Sequence, residues 1–401
     1  MMAVEQNGVA SVPKRSAQKW WQRWFHLATG FDMQFFILLM IILIIGLATL
    51  YSASHVYALN YEDDSFFYIR KQAGFAFAGL VAMLGISMVD YHVLHRWAWI
   101  LWLGSMGLLG LALVMPSETG IHRWVQIGPV SFQPSEIAKF ALVLLFAHLI
   151  SLNYKRMKKF TVGFLPLLVI LGITCGLVVI EPHLSGTLLI AILGFSMMYI
   201  GGVRWWQVLL VIGLGFALVV LMVVVMGYEQ DRISVWFHPM ESFNNEIVFS
   251  DGVSGRDHAW QTVQSLYAIG SGGLLGQGPG NSRQKHLFLP EPQNDFVFSV
   301  FCEEMGLIGA VLVLLLFALL MWRGFRIAMK APDKFGCMLA LGLTLQIGIQ
   351  VAINVAVVSN LLPNTGISLP FFSYGGTSIL MLMAQMGVVL SVSRQSRMEK
   401  L

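Results

Sequence analysis

The stretch Leu289-Pro290-Glu291-Pro292-Gln293-Asn294-Asp295-Phe296-Val297-Phe298 sets Asp295 between a proline-rich turn and a strongly apolar run. Asp295 suits two tasks there. It can cap the helix that the apolar run predicts, accepting bonds from the first free amides. It can also act as a general base, because a carboxylate at the edge of hydrocarbon is partly desolvated and more basic. Upstream, a glycine-rich run (Gly270, Gly272, Gly273, Gly276, Gly278 and Gly280) leads into Arg283, Lys285 and His286. It lacks a Gly-Lys-Ser/Thr ending and a strand–turn–helix setting, so it is neither a P-loop nor a Rossmann turn. It offers backbone that can approach a ligand closely. The basic side chains after it suit a phosphate or pyrophosphate; the alternative is a solvated basic turn.

Glu136 and Lys139 stand three apart at the start of another apolar run. That spacing puts them on one helix face, within reach of each other. They are either a structural ion pair or a polar site that orients a substrate. His122, Arg123 and Trp124 join cations to an aromatic ring. Such a group can grip a phosphate while the ring packs on a sugar, or it can anchor the chain at a membrane surface. Glu303 and Glu304 fall within an apolar stretch and predict a polar pocket or a structural network.

The elements that must position these residues are membrane spans. Hydrophobic residues make up 57% of the 401 and charged residues 11%, against about 25% charged in a soluble domain. Mean hydropathy is +0.72. This excludes soluble enzyme folds, nucleic-acid-binding modules and disulfide scaffolds, and Cys175, Cys302 and Cys337 read as apolar fillers. A span needs roughly 20 apolar residues. Ten candidates occur, at 33–53, 73–89, 97–115, 134–151, 162–180, 184–201, 205–226, 306–328, 335–359 and 378–393. The expected fold class is an all-α polytopic membrane protein with about ten transmembrane helices and a long extracytoplasmic loop, 227–305, between the seventh and eighth.

Orientation follows from the basic residues. Lys14, Arg15, Lys19 and Arg23, then Lys155, Arg156, Lys158 and Lys159, then Arg323, Arg326, Lys330 and Lys334, and finally Arg394, Arg397 and Lys400 all fall on one side of a ten-span chain. Both termini are therefore expected in the cytoplasm. No cleavable signal peptide is evident. The organisation expected is a cytoplasmic segment 1–31 with an interfacial helix around Lys19–Phe25, a membrane domain 32–393 and a short tail 394–401. Three segments break the span pattern on the outer side: 116–140, 227–295 and 360–378. Irregular backbone at membrane depth survives only where protein buries it or it lines a watery cavity, so an outward cavity is expected.

Three motifs in order now carry a resemblance. They are Gly-Ile-His-Arg-Trp-Val-Gln-Ile-Gly with Phe-Gln-Pro-Ser-Glu-Ile-Ala-Lys, then Leu-Pro-Glu-Pro-Gln-Asn-Asp-Phe-Val-Phe-Ser-Val, then Leu-Pro-Phe-Phe-Ser-Tyr-Gly-Gly-Thr-Ser. Over about 32–393 the chain resembles the SEDS family of FtsW, RodA and SpoVE, the FtsW/SpoVE branch most of all. The resemblance implies a ten-span peptidoglycan glycosyltransferase that polymerises lipid II on the outer face of the bacterial cytoplasmic membrane. It implies a cognate class B penicillin-binding protein as partner, with other division or elongation proteins.

The family's catalytic carboxylate falls on Asp295, and its Arg-Trp and Glu-x-x-Lys positions on Arg123, Trp124, Glu136 and Lys139. Arg283, Lys285 and Glu291 are further candidates for substrate contact. His183, Glu303, Glu304, Ser373, Tyr374, Gly375 and Gly376 are candidates for lining the pocket or holding its shape. His183 stands where members often carry Asp, and an imidazole answers pH differently. No carboxylate cluster announces a resident metal, although pyrophosphate could recruit a divalent cation from solution. A lipid II flippase and a non-catalytic scaffold for the division transpeptidase are the rival readings; neither polymerises lipid II, and the flippase gives Asp295 no chemical task.

Overall fold

The computed structural model describes residues 31–115, 125–127, 130–181, 184–226, 230–244 and 255–398. The elements run α1 (Met33–Glu62), α2 (Phe67–Met88), α3 (His92–Val114), β1 (Val125–Ile127), β2 (Val130–Phe132), α4 (Pro134–Asn153), α5 (Leu165–Ile180), α6 (Leu184–Ile200), α7 (Trp205–Met226), α8 (Gln230–Phe237), α9 (Pro239–Asn244), α10 (Gly255–Gly272), α11 (Val297–Met329), α12 (Lys334–Val358) and α13 (Gly376–Met398). A helix occupies each expected span. Eight are long and apolar enough to cross a membrane, and apolar parts of α6 and α7 make two shorter candidates.

Burial orders these helices. Two thirds of the apolar window is buried in α4, α12 and α13, against 28–39% in α1, α2, α3, α5 and α11. The first three form the centre of the bundle. The others turn large side chains such as Ile44, Phe77, Leu103 and Leu312 outward, as helices facing lipid must. Between membrane helices, close approach at small residues replaces the hydrophobic drive. At the α2–α13 contact a methyl group on Gly387 would sit 2.6 Å from the Met83 carbonyl oxygen.

Helix starts follow local chemistry. Asp32 caps α1 through the Phe35 amide at 3.0 Å. Arg323 on α11 grips the same carboxylate, Nε lying 3.0 Å from both oxygens and Nη2 2.8 Å from one. Asp333 caps α12 through the Gly336 amide at 2.8 Å, and Pro134 opens α4, where a missing N–H costs nothing.

The structure departs from the sequence expectation in three places. The eighth span was expected at 306, yet its helix begins at Val297 and carries Glu303 and Glu304 inside it. The long connection is not irregular throughout, since it contains α8, α9 and α10. The connection before α4 holds a two-stranded antiparallel hairpin pairing Val125 with Phe132 and Ile127 with Val130. The Lys19–Phe25 segment lies outside the described residues.

Candidate active site

Asp295 sits in a turned segment that leads into α11. The helix takes its N-cap from Phe296, whose side chain makes no capping bond. Asp295 directly precedes that position. Its position is set by backbone. Asn354, fully buried on α12, donates from Nδ2 to the Asp295 carbonyl at 2.8 Å and to the Ile367 carbonyl at 2.6 Å. One amide therefore ties the 291–296 turn to the 360–375 segment. Gly366 has φ +68, and a Cβ there would lie 3.1 Å from Asp295 Oδ2. Glycine both adopts that angle without strain and lets the chain pass the carboxylate.

The 360–375 segment is held from two more helices. Gln350 on α12 donates to the Ser368 carbonyl at 3.0 Å. Gln72, fully buried on α2, donates to the Ser373 carbonyl and accepts from the Gly375 amide, both at 3.1 Å. The Tyr374 amide donates to the Gln293 carbonyl at 2.8 Å, bringing that segment beside the Asp295 turn. The Ser373 hydroxyl accepts from the Leu369 amide at 2.7 Å, and Gly376 begins α13. Burial, with the charge of Glu62, pushes the Tyr374 hydroxyl above its ordinary range, so it stays a donor. Its ring meets Tyr68 edge-on at 4.8 Å.

The glycine-rich run meets protein rather than ligand. α11 is broken at Gly306, with φ 66 and ψ −171. The carbonyls of Glu303 and Glu304 accept from the amides of Gln277 and Gly278 at 3.0 Å each, and the amides of Leu307 and Ile308 donate to Gly273 and Leu274. A Cβ on Gly276 would lie 2.2 Å from the Glu304 carbonyl oxygen, so the run must be bare there.

The two acids of α11 then hold the basic turn. Glu303 accepts from the Ser282 hydroxyl, from the Arg283 amide at 3.0 Å and from the Gln284 amide at 3.3 Å. Lys285 is fully buried, and its ammonium donates to Glu304 at 3.0 Å, to Ser52 at 3.1 Å and to the Gly280 carbonyl at 2.6 Å. Ser52 also donates to Glu304 at 2.6 Å. Lys285 was a candidate for substrate contact; the fold instead buries it as the brace of this turn. The Arg283 and His286 side chains remain exposed. Glu291 is exposed too, and it accepts from the Asn294 side chain at 2.8 Å.

Glu136 and Lys139 pair at 2.6 Å on the first turns of α4, both buried. Glu136 Oε2 has no hydrogen-bond partner among the described residues. Arg123, Trp124 and His183 lie outside the described residues. The sequence expectation missed Asn354, Gln72, Gln350, Ser52 and Gly366. A signal existed for two of them: Gln346, Gln350 and Asn354 recur every four residues along one face of an apolar helix, and polar groups in hydrocarbon need partners.

The comparisons with known proteins agree with this architecture. The family described as cell cycle protein, FtsW/RodA/SpoVE, matches residues 32–398. Stage V sporulation protein E of Bacillus subtilis is 39% identical over 373 residues, covering 92% of this chain and 98% of its own length. The probable peptidoglycan glycosyltransferase FtsW of Geobacter sp. strain M18 is 35% identical over 375 residues, again covering 92% and 98%. A chain from a structure of a peptidoglycan synthase complex superposes with TM-score 0.74 at 26% identity, covering 92% of this chain and 99% of its own. The crystal structure of the rod shape determining protein RodA of Thermus thermophilus gives TM-score 0.66 at 27% identity, covering 92% and 98%. With nearly its whole membrane portion matched in sequence and in helix arrangement, the chain belongs to the FtsW/RodA/SpoVE family.

Proposed function

We propose that this protein is a peptidoglycan glycosyltransferase that polymerises lipid II on the outer face of the bacterial cytoplasmic membrane, with both termini in the cytoplasm. Its FtsW relatives bear the name probable peptidoglycan glycosyltransferase. The observation that carries the reading is the setting of Asp295. It stands one residue before the N-cap position of α11, its backbone carbonyl is held by a buried side chain of α12, and its carboxylate is passed closely by Gly366. A half-buried carboxylate on backbone fixed this way is suited to act as a general base.

The chemistry then runs in one displacement. The acceptor sugar 4-hydroxyl gives its proton to the Asp295 carboxylate. Its oxygen forms a bond to the donor's anomeric carbon as the bond from that carbon to the lipid pyrophosphate breaks. The departing pyrophosphate carries the charge, and Arg123 and Arg283 neutralise it. Glu136 and Lys139 orient the sugars from the start of α4, and Glu291 contacts substrate from the rim. A class B penicillin-binding protein supplies the crosslinking step, in keeping with the similar chain found in a peptidoglycan synthase complex.

The test is reconstitution of the purified protein with its transpeptidase partner and lipid II. Wild type makes glycan polymer. Asp295→Asn keeps size and capping ability, folds, binds its partner and polymerises slower by about two to four orders of magnitude. Polymer from Asp295→Asn at the wild-type rate would refute the mechanism, and translocation of lipid II without polymer would make the protein a flippase.

A further inference from the structure

Away from the Asp295 site, the connection from α4 to α5 lines a half-open cavity of about 300 Å³. That is the lower end of the range for ligand clefts, about 300–1,000 Å³. It lies beneath a tight turn at Tyr154–Arg156 and a single π-helical turn at Phe160–Phe164 that opens into α5. Its walls are apolar, built by Leu149, Met157, Pro166 and Leu167, with Asn153 and Thr161 as the polar members. Part of the Asn153 amide is already engaged, donating to the Leu149 carbonyl at 3.3 Å.

The residues that flank Met157 in the chain have the opposite character. Lys155, Arg156, Lys158 and Lys159 are all exposed. No Asp or Glu occurs in the chain between Glu136 and Glu181, so the four have no local counter-charge. None forms an ion pair among the described residues. Lys334, at the start of α12, adds a fifth cation, its ammonium 4.3 Å from the centre of the Tyr154 ring. An apolar pocket between two spans, with a run of exposed cations in the same connection, matches an amphiphile with an anionic head. A free phosphate would have no use for the apolar walls. A neutral lipid would have no use for the cations.

We infer that this cavity binds one acyl chain of an anionic phospholipid, whose headgroup phosphate is held by the Lys155–Lys159 cations. In the orientation given above, the lipid belongs to the cytoplasmic leaflet, where anionic headgroups attract basic juxtamembrane segments. The volume admits part of one chain, so the second chain lies outside along α4 and α5. Because the site is remote from Asp295 in sequence and its readout is lipid retention, the inference stands or falls independently of glycan polymerisation.

The experiment is native mass spectrometry of the full-length protein in detergent, titrated with dioleoylphosphatidylglycerol or dioleoylphosphatidylcholine. One phosphatidylglycerol is retained and phosphatidylcholine is not. The double variant Lys155→Gln, Lys158→Gln changes only exposed side chains and lowers phosphatidylglycerol affinity about thirty-fold, from the worth of two cations at an anionic surface. Lys330→Gln, an exposed cation in another connection, leaves retention unchanged. Val162→Trp, which fills the cavity from a half-buried position, lowers retention at least about tenfold, while its melting temperature reports that the fold survives. Equal retention of the two lipids, or undiminished retention by the charge-neutralised protein, overturns the proposal. Displacement of the lipid by millimolar inorganic phosphate would make the cation run a free-anion site and overturn it as well.

Discussion

The brace between Lys285 and Glu304 gives the most demanding test of how the connection before α11 is built. The pair is 3.0 Å apart with side chains 0% and 5% exposed. At that distance and an effective dielectric of about 20, Coulomb's law gives about 5–6 kcal/mol. Replacing Lys285 by Met removes that attraction together with the bonds to Ser52 and Gly280, and leaves Glu304 buried with Ser52 as its partner. Breaking a buried pair from one side costs about 3–5 kcal/mol. The double variant Lys285→Met, Glu304→Gln removes both charges and recovers most of that loss, so the double-mutant cycle shows a coupling of at least about 2 kcal/mol. Equilibrium unfolding in mixed SDS micelles, followed by tryptophan fluorescence, measures each corner. Suppose instead that Lys285→Met costs less than about 1 kcal/mol, while lipid II binding by the folded protein falls tenfold or more. The brace would then be refuted, and the ammonium would be a ligand group.

Three further outcomes follow from the same geometry. Asn354→Leu strands the Asp295 and Ile367 carbonyls, costs about 2–4 kcal/mol and lowers polymerisation, checked by unfolding and by lipid II turnover on the folded fraction. Gly366→Ala places a methyl group 3.1 Å from Asp295 Oδ2 on backbone with φ +68; it costs about 1–2 kcal/mol and cuts turnover at least about tenfold without weakening partner binding. At Asp333 burial raises the pKa, but hydrogen bonds from His92, Tyr91 and the Gly336 amide outweigh it and hold the group at about 2, below its ordinary 3.8. A lowered carboxylate stabilises the fold above 3.8, and that stability is lost as pH falls toward 2. Because the side chain is a third exposed, the gap in unfolding free energy between wild type and Asp333→Asn is discounted to about 1 kcal/mol; it is present just above 3.8 and closes as pH falls across that window.

How much of this was legible depended on whether a residue's partner was near it in sequence. Hydropathy located the spans because each helix meets that requirement alone, and Glu136 with Lys139 were legible because a helix brings i and i+3 together. The start of α11 was misplaced because Glu303 and Glu304 interrupt the apolar pattern. Their carboxylates are satisfied by a turn about twenty residues upstream, which no local window contains. The glycine run looked like a ligand cradle for the same reason, since its true neighbour is the Gly306 break in α11. Gln72 was silent in the sequence: one amide in an apolar helix, with its partners some 300 residues away.

The break at Gly306 explains why these distant partners are needed at all. A helix interrupted within an apolar span exposes carbonyls and amides that hydrocarbon cannot satisfy, so such a break persists only where protein supplies the bonds. Here residues 273–278 supply them to Glu303, Glu304, Leu307 and Ile308. The short first half of α11, Val297–Met305, is thereby free to take a direction of its own while remaining fully bonded. Asp295 stands just before its N-terminal end, between that half-helix and the 360–375 segment, and both are fastened to α12 through Asn354. An acid on a loop would wander, and an acid inside a continuous span would be sealed in hydrocarbon. A half-helix with its break stitched to a glycine-rich run avoids both, fixing the backbone that carries the carboxylate while leaving the side chain half-buried.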